Sequence, residues 1–174
     1  MKIILAMVTS VNGKSTKGSL PPGQWNSKED KEYLHKLINS QNLIVMGRKT
    51  YEAAKSIIQL KPNILRIVLT KSPKIYQKLA VKNQLEFSEE LPKKLIQRLT
   101  GLGYKQLLLL GGADLNSQFF KDKLINELWL TIEPLVFGEG NGLVTEENFD
   151  IHLKLKSLEK LNQQGTLLLK YQII

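Results

Sequence analysis

The sequence predicts an α/β fold, a three-layer arrangement in which helices flank a mixed, mostly parallel sheet that ends in an antiparallel hairpin. Two observations carry this. Over the first two-thirds of the 174 residues, short apolar runs alternate with amphipathic stretches, as βα units do. Over the last third, apolar residues alternate singly, and two such segments flank Asn162-Gln163-Gln164-Gly165. A third observation bears on function. The runs Leu43–Met46, Ile67–Leu69 and Leu107–Leu110 each end in a small or hydroxylated residue and a polar turn. In an open α/β sheet, ligands bind at the carboxyl ends of the strands.

The elements follow in order. Lys2 to Val8 is an apolar run read as the first strand. Thr9 to Asn26 is a long loop with Gly13, Gly18, Pro21, Pro22 and Gly23; loops of this length in small domains are often functional. Ser27 is a good N-cap, with Asp30 at the capping-box position, and the helix runs to about Ser40 on the apolar stripe Tyr33, Leu34, Leu37 and Ile38. A strand at Asn42 to Met46 and a helix at Lys49 to Ile58 come next, then a strand at Leu65 to Thr70. Ile75 to Glu86 fits a turn of helix and a short strand. Glu89 to Leu102 carries Leu91, Leu95, Ile96 and Leu99 at helical spacing, ended by Gly101 and Gly103. The strand Gln106 to Leu110, a helix from Asp114 to Lys121, the strand Glu127 to Glu133 and the hairpin Lys154–Leu161/Thr166–Ile173 complete one expected domain, residues 1–174.

Composition narrows the function. The chain has no cysteine, which excludes thiolate metal sites, disulfides and a cysteine nucleophile. His35 and His152 lack metal-ligand spacing and are expected at the surface, so no metal is assigned. No apolar run approaches the ~20 residues of a membrane span, and the first strand is too short for a signal peptide, so the cytoplasm is the expected compartment. The net charge of +9 comes from Lys and Arg scattered along the chain. No helix gathers them on one face, which argues against a nucleic-acid partner; the charge then serves solubility or attraction of an anionic small molecule.

Each strand end has its own chemistry. Gly111-Gly112 lets backbone approach a ligand, and the helix opening at Ala113-Asp114 offers free N–H groups to a pyrophosphate. A tight turn needs the same glycines, and no full dinucleotide fingerprint is present. In Gly47-Arg48-Lys49-Thr50, two cations open a helix against its macrodipole, a conflict that a bound anion would relieve. Thr70-Lys71-Ser72 offers hydroxyls and an ammonium, suited to the 2′-phosphate of NADPH. Asp30 is either a helix-start acid or a carboxylate that binds or protonates a heterocycle, and Trp25 is either core or a wall against a ring. Gly138-Glu139-Gly140-Asn141-Gly142 reads as a flexible loop, since no helix follows it.

Met46-Gly47-Arg48-Lys49-Thr50-Tyr51-Glu52, Leu110-Gly111-Gly112, Leu130-Thr131-Ile132 and the spacing of Trp25 to Asp30 resemble dihydrofolate reductases. A second resemblance covers nearly the whole chain. Val8-Thr9-Ser10-Val11-Asn12-Gly13-Lys14, Trp25-Asn26-Ser27-Lys28-Glu29-Asp30, Leu110-Gly111-Gly112-Ala113-Asp114-Leu115 and Glu133-Pro134-Leu135-Val136-Phe137-Gly138 are similar to the reductase domain of the bifunctional riboflavin-biosynthesis deaminase/reductase, the RibD C-terminal domain. The resemblance implies a dihydrofolate reductase-like fold, a homodimer, and hydride transfer from NADPH to an aminopyrimidine, such as 5-amino-6-(5-phosphoribosylamino)uracil, or to a pterin-like heterocycle. It assigns Gly13, Gly47, Arg48, Lys49, Thr50, Thr70, Lys71, Gly111, Gly112, Ala113 and Asp114 to the cofactor. It assigns Asn12, Trp25, Asp30 and Thr131 to the substrate, with Asp30 catalytic.

The chain departs from the riboflavin reductases at three positions. Those proteins usually carry Asp at Asn12, Glu at Leu110 and an Arg near Ile38 that contacts the phosphoribosyl group. Dihydrofolate reductases in turn usually carry an Arg before the third strand that holds the glutamate tail; here Asn63-Ile64-Leu65 occupies that region and Arg66 is not clearly equivalent. Dihydrofolate reduction is the alternative activity. A nucleotide-binding protein that kept the fold without the chemistry is the alternative of another class.

Overall fold

The structure, a computed structural model, describes residues 1–20, 23–145 and 147–174; Pro21 and Pro22 of the long loop lie outside the described residues. Strands β1 (Lys2–Ser10), β2 (Leu43–Gly47), β3 (Leu65–Leu69), β4 (Leu85–Ser88), β5 (Gln106–Leu109), β6 (Glu127–Glu133), β7 (Leu153–Lys160) and β8 (Leu167–Ile173) form one sheet in the order β4-β3-β2-β5-β1-β6-β8-β7. The pairings from β4 through β6 are parallel; β6–β8 and β8–β7 are antiparallel. The expected mixed sheet with its C-terminal hairpin is therefore present.

Helices α1 (Lys28–Asn39), α2 (Arg48–Ala54), α3 (Pro92–Gly101) and α4 (Ala113–Lys121) divide between the two faces. On one face, Leu95 and Leu99 of α3 and Leu115, Phe119 and Phe120 of α4 pack on Ile3, Leu5, Val45, Ile67, Leu107 and Leu109. On the other, Leu37 of α1 and Tyr51 of α2 pack on Ile4, Ala6, Ile44, Met46, Val68 and Leu108. The strands buried on both faces are the continuous apolar runs of the sequence, as parallel interior strands must be. β6 alternates instead, placing Leu128 in one cluster and Trp129 beside the other.

The expected bounds of two helices move, with local reasons. α3 starts at Pro92, not Glu89, because proline fixes its own φ for a first helical position and holds the preceding Leu91 extended, at φ −67° and ψ 150°. α2 stops at Ala54, whose carbonyl takes the amides of Ile57 and Ile58 in a tightened turn, and Ile58 then packs against the second cluster. The ambiguous stretch resolves into a 3-10 helix at Pro73–Leu79 and the strand β4.

Candidate functional site

The strand order puts the three ligand-ready ends side by side. β3, β2 and β5 are consecutive neighbours, so Thr70-Lys71, Gly47-Arg48 and Gly111-Gly112 share one edge of the sheet. The Gly47 amide donates to the Gly111 carbonyl at 2.7 Å, joining two of these ends. A cleft of about 1510 Å³ opens from this edge across the second face of the sheet, between α1 and α2. Its floor is Ala6, Val8, Ile44, Met46, Leu110 and Trp129; Tyr33, Leu34 and Ile38 of α1 form one wall.

Asp30 enters this cleft because another residue takes over its capping work. The Ser27 hydroxyl accepts from the Asp30 amide at 3.2 Å, as an N-cap should. A capping box would return the Asp30 carboxylate to the Ser27 amide. Here Glu133, at the end of β6, accepts from both the Ser27 amide (2.8 Å) and hydroxyl (2.7 Å), and from the Thr166 hydroxyl (2.7 Å). The Asp30 carboxylate is thereby free to lie buried at the cleft, 2% exposed, where it accepts from the Asn26 side-chain amide and faces the Thr131 hydroxyl.

Burial is the main reason the Asp30 carboxyl titrates above an ordinary aspartate. Hydrogen bonds from Thr131 and Asn26 oppose the rise, and the nearby Glu133 charge reinforces it. Around it, two buried polar atoms have no partner: the Asn26 Oδ1 and the Tyr33 hydroxyl. Burial also pushes the Tyr33 phenol up, so it stays a neutral donor. Two acceptors and two hydroxyls beside an apolar floor match the edge of a heterocycle carrying both N–H and ring nitrogen or carbonyl groups.

The opposite end of the cleft is polar backbone and cations. Gly47 and Gly112 are the N-caps of α2 and α4, and neither helix start is capped by a side chain. Thr50, Thr70, Lys71, Gly112, Ala113 and Asp114 line the cleft here. A Cβ on Gly112 would come into van der Waals contact with the Thr50 hydroxyl oxygen at 3.4 Å, filling part of the space that glycine leaves open at the cleft. Arg48 is paired with Glu52 at 2.7 Å, and Lys49 loosely with Asp114 at 3.7 Å. Lys71 is exposed and, among the described residues, has no ion-pair partner. An uncapped nine-residue helix start, a glycine approach and a free ammonium suit a phosphate-bearing cofactor.

Other site residues named from the sequence lie elsewhere. Asn12 is exposed and ties loops together, accepting from the Ser10 hydroxyl and donating to the Phe137 carbonyl at 3.1 Å. Gly13 turns the chain at φ +79°, and Gly111, at φ +75°, sits behind the cleft edge against Met7 and Asn116. Trp25 meets Phe137 edge-on at 5.3 Å. None of these four is among the residues lining the cleft. The glycine-rich loop read as flexible forms a latch with the first loop. Its carbonyls at Asn141 and Gly140 accept from the Ser15 amide (2.7 Å) and the Lys14 ammonium (3.1 Å), and Gly142 bridges to Lys14. The latch holds Ser15 and Thr16 at the cleft mouth.

Sequence reasoning did not single out Asn26 or Tyr33, and Arg66 was weighed only as an unclear equivalent of the arginine that dihydrofolate reductases carry before the third strand. Asn26 lay next to the expected N-cap, and Tyr33 was counted into an apolar stripe. Arg66 carried the one available signal, a cation inside an otherwise apolar strand. Among the described residues, no group of three or more His, Cys, Asp and Glu could hold a metal, and no helix is long and apolar enough to cross a membrane.

This geometry defines an α/β protein with a dihydrofolate reductase-like fold and a cleft at the carboxyl edge of its sheet. The sequence profile of the RibD C-terminal domain matches residues 1–167, and the chain belongs to that family. It is similar to the uncharacterized protein YwjB of Bacillus subtilis, 30% identical over 122 residues, which cover 69% of this chain and 68% of that one. A dihydrofolate reductase of Candida albicans is 23% identical over 135 residues, 74% of this chain and 66% of that one. The crystal structure of a pyrimidine reductase-like protein from Corynebacterium diphtheriae superposes with a TM-score of 0.78 at 17% identity, over 99% of this chain and 92% of that one.

Proposed function

We propose that the protein is an NADPH-dependent reductase of a small heterocycle, of the riboflavin-biosynthesis type, with an aminopyrimidine or pterin-like ring bound at Asp30. Family membership supports an oxidoreductase of this type. One observation carries the finer reading: Asp30, buried and outside any salt bridge among the described residues, opens on the same cleft as the three strand ends.

The bound cofactor would supply a hydride to the carbon of a C=N bond. The chain supplies the rest. Gly112, Ala113 and Thr50 would hold the pyrophosphate, and Thr70 with Lys71 the 2′-phosphate. Leu110, Met46 and Trp129 keep water from the reacting atoms. Asp30, with its proton held more tightly than in water, would deliver that proton to the nitrogen side of the reduced bond, oriented by Asn26 and Thr131.

A second reading, dihydrofolate reduction, is favoured by Leu110. It leaves the floor apolar where riboflavin reductases usually place a Glu, so the ring-binding polarity comes from Asp30 and Thr131. Titration with NADPH and NADH, followed by turnover of dihydrofolate and of a phosphoribosylamino-uracil, tests both. Tight NADPH binding with turnover of one ring class is expected. Equal or absent binding of both nucleotides would sink the cofactor assignment, and binding without turnover would leave a nucleotide-binding protein.

A further inference from the structure

The cations are spread along the chain, but the acids are not. Between Glu52 and Glu86 lie Lys55, Lys61, Arg66, Lys71, Lys74, Lys78 and Lys82, and no Asp or Glu, so this stretch holds most of the net charge of +9. It builds one side of the cleft from the turn after α2, from β3 and from the 3-10 helix Pro73–Leu79, through Ile57, Lys61, Leu69, Lys71, Ile75 and Tyr76. The acids at its two ends are already engaged. Glu52 accepts from Arg48 at 2.7 Å and from the Tyr76 phenol, and Arg98 ties Glu86 and Glu90 together. Among the described residues, Glu89, exposed at the rim, and Asp114, 3.7 Å from Lys49, are the other carboxylates lining this end of the cleft.

Lys74, Lys78 and Lys82 differ from Lys71. All four are exposed and without an ion-pair partner among the described residues, but only Lys71 lines the cleft. The other three stand outside it on backbone that is held in place. The Tyr76 ring stacks on Phe87 of β4 at 5.0 Å and 15°, and its phenol is held by Glu52, which fixes the 3-10 helix against the sheet. Val81 and Leu85 exchange two backbone hydrogen bonds, at 3.0 and 2.8 Å, around the turn that carries Lys82. Ammonium groups outside the cleft make no contact with a ligand inside it, but their field reaches over a Debye length of about 10 Å at 0.1 M salt. A field of one sign beside a cleft with apolar walls raises the encounter rate of an oppositely charged ligand. The far end of the cleft has no such excess, because α1 sets Lys28, Lys31 and Lys36 against Glu29, Asp30 and Glu32.

We infer that Lys74, Lys78 and Lys82 form an electrostatic guide that draws the phosphate end of the nicotinamide cofactor to the β3 side of the cleft and speeds its association, without touching the cofactor once it is bound. This rests on the reading of the strand ends as the cofactor site. Lys71 and the two uncapped helix starts hold the phosphates and set the off-rate. The outer lysines set the on-rate and the direction of entry, with the phosphates toward β3 and the uncharged reduced nicotinamide toward Asp30.

Stopped-flow fluorescence of NADPH binding compares the wild type with two triple variants. Lys74→Gln/Lys78→Gln/Lys82→Gln removes the guide, and Lys154→Gln/Lys156→Gln/Lys160→Gln removes the same charge from exposed positions on β7, at the opposite edge of the sheet. At ~20 mM salt the first variant is expected to associate about 5- to 10-fold more slowly than the wild type, with an unchanged off-rate, and at ~0.5 M salt the two on-rates are expected to converge. The β7 variant is expected to keep an on-rate within about twofold of the wild type. NADH, which lacks the 2′-phosphate, is expected to lose less than NADPH in the first variant. An unchanged on-rate in the first variant, an equal loss in the β7 variant, or a loss carried by the off-rate overturns the guide and leaves the cofactor reading standing. A wild type that binds no NADPH overturns both. A single-stranded RNA oligonucleotide that binds the wild type more tightly than NADPH, and is released by the same three substitutions, also overturns the guide and makes this wall a nucleic-acid surface.

Discussion

The Ser27 amide donates to Glu133 Oε1 across 2.8 Å, bringing the end of β6 to the start of α1. A buried carboxylate on one element thus caps the helix on another, and the helix's own acid, Asp30, is released into the cleft. Thr166 extends the arrangement to β8, and its hydroxyl in turn accepts from Asn162, which reaches Glu29 on α1.

Replacing Glu133 therefore acts on both stability and chemistry. Glu133→Ala leaves three donors without an acceptor and is expected to cost about 3 kcal/mol by urea denaturation. Glu133→Gln keeps an acceptor for Ser27 and is expected to cost about 1 kcal/mol. Because the Glu133 charge raises the Asp30 value, removing it lowers that value. The limb of the pH–rate profile assigned to Asp30 is then expected to move to lower pH in Glu133→Gln. A limb that stays in place would separate Glu133 from the reacting group.

The backbone plan was legible in the sequence because it is written in short-range pattern. Continuous apolar runs such as Leu107–Leu110 mark interior parallel strands, and the single alternation of Glu127–Glu133 marks the antiparallel side. The positions of the strand ends were legible too, since glycines and hydroxyls stop an apolar run abruptly. What no local pattern holds is a contact between distant segments. Ser27 and Asp30 read as a capping pair, and nothing near them announces Glu133, 106 residues away. Trp25 and Asn12 were read toward the substrate, and the structure turns both toward Phe137. Asn26 and Tyr33 became visible only once burial showed which of their polar atoms lack partners.

The glycine pair after β5 separates binding from folding. In Gly112→Ala the new Cβ meets only the Thr50 hydroxyl, at 3.4 Å, so the fold is expected to survive while NADPH affinity falls about tenfold or more by fluorescence titration. In Gly111→Ala the Cβ meets the Met7 sulfur at 2.8 Å in a backbone at φ +75°, and a loss of about 2–3 kcal/mol of stability is expected. Equal thermal midpoints for the two variants would contradict this division.

Lys71 is exposed and without an ion-pair partner among the described residues, whereas Arg48 is tied to Glu52. In the proposed function it is the side chain placed to distinguish NADPH from NADH. Lys71→Ala is expected to weaken NADPH binding about tenfold and to leave NADH binding unchanged. A parallel loss for both nucleotides would move Lys71 from the 2′-phosphate to the pyrophosphate.

Asp30→Asn tests the central residue in two ways at once. A carboxyl that titrates above its ordinary value in the folded chain holds its proton more tightly there than when unfolded. Its contribution favours folding fully below the unfolded value, 3.8, and is lost as pH rises through the folded value. The wild type should thus lose stability relative to Asp30→Asn as pH rises across that window. The midpoint of Asp30→Asn minus that of the wild type is expected to be more positive at pH 7.5 than at pH 4, values chosen as roughly bracketing the window. The Asn26 amide can turn its free Oδ1 toward the new side chain, so the substitution need not leave an unpaired donor. Turnover moves the other way. With Asp30 as the proton source, the wild-type rate falls as pH rises through the raised value, and Asp30→Asn is expected to lose about 10²–10³ in rate at neutral pH and to lose that limb, with NADPH affinity unchanged. Were the variant both less stable at pH 7.5 and equally active, Asp30 would be a structural acid that the Asn26 and Thr131 bonds hold in place, and the proton would have to come from solvent.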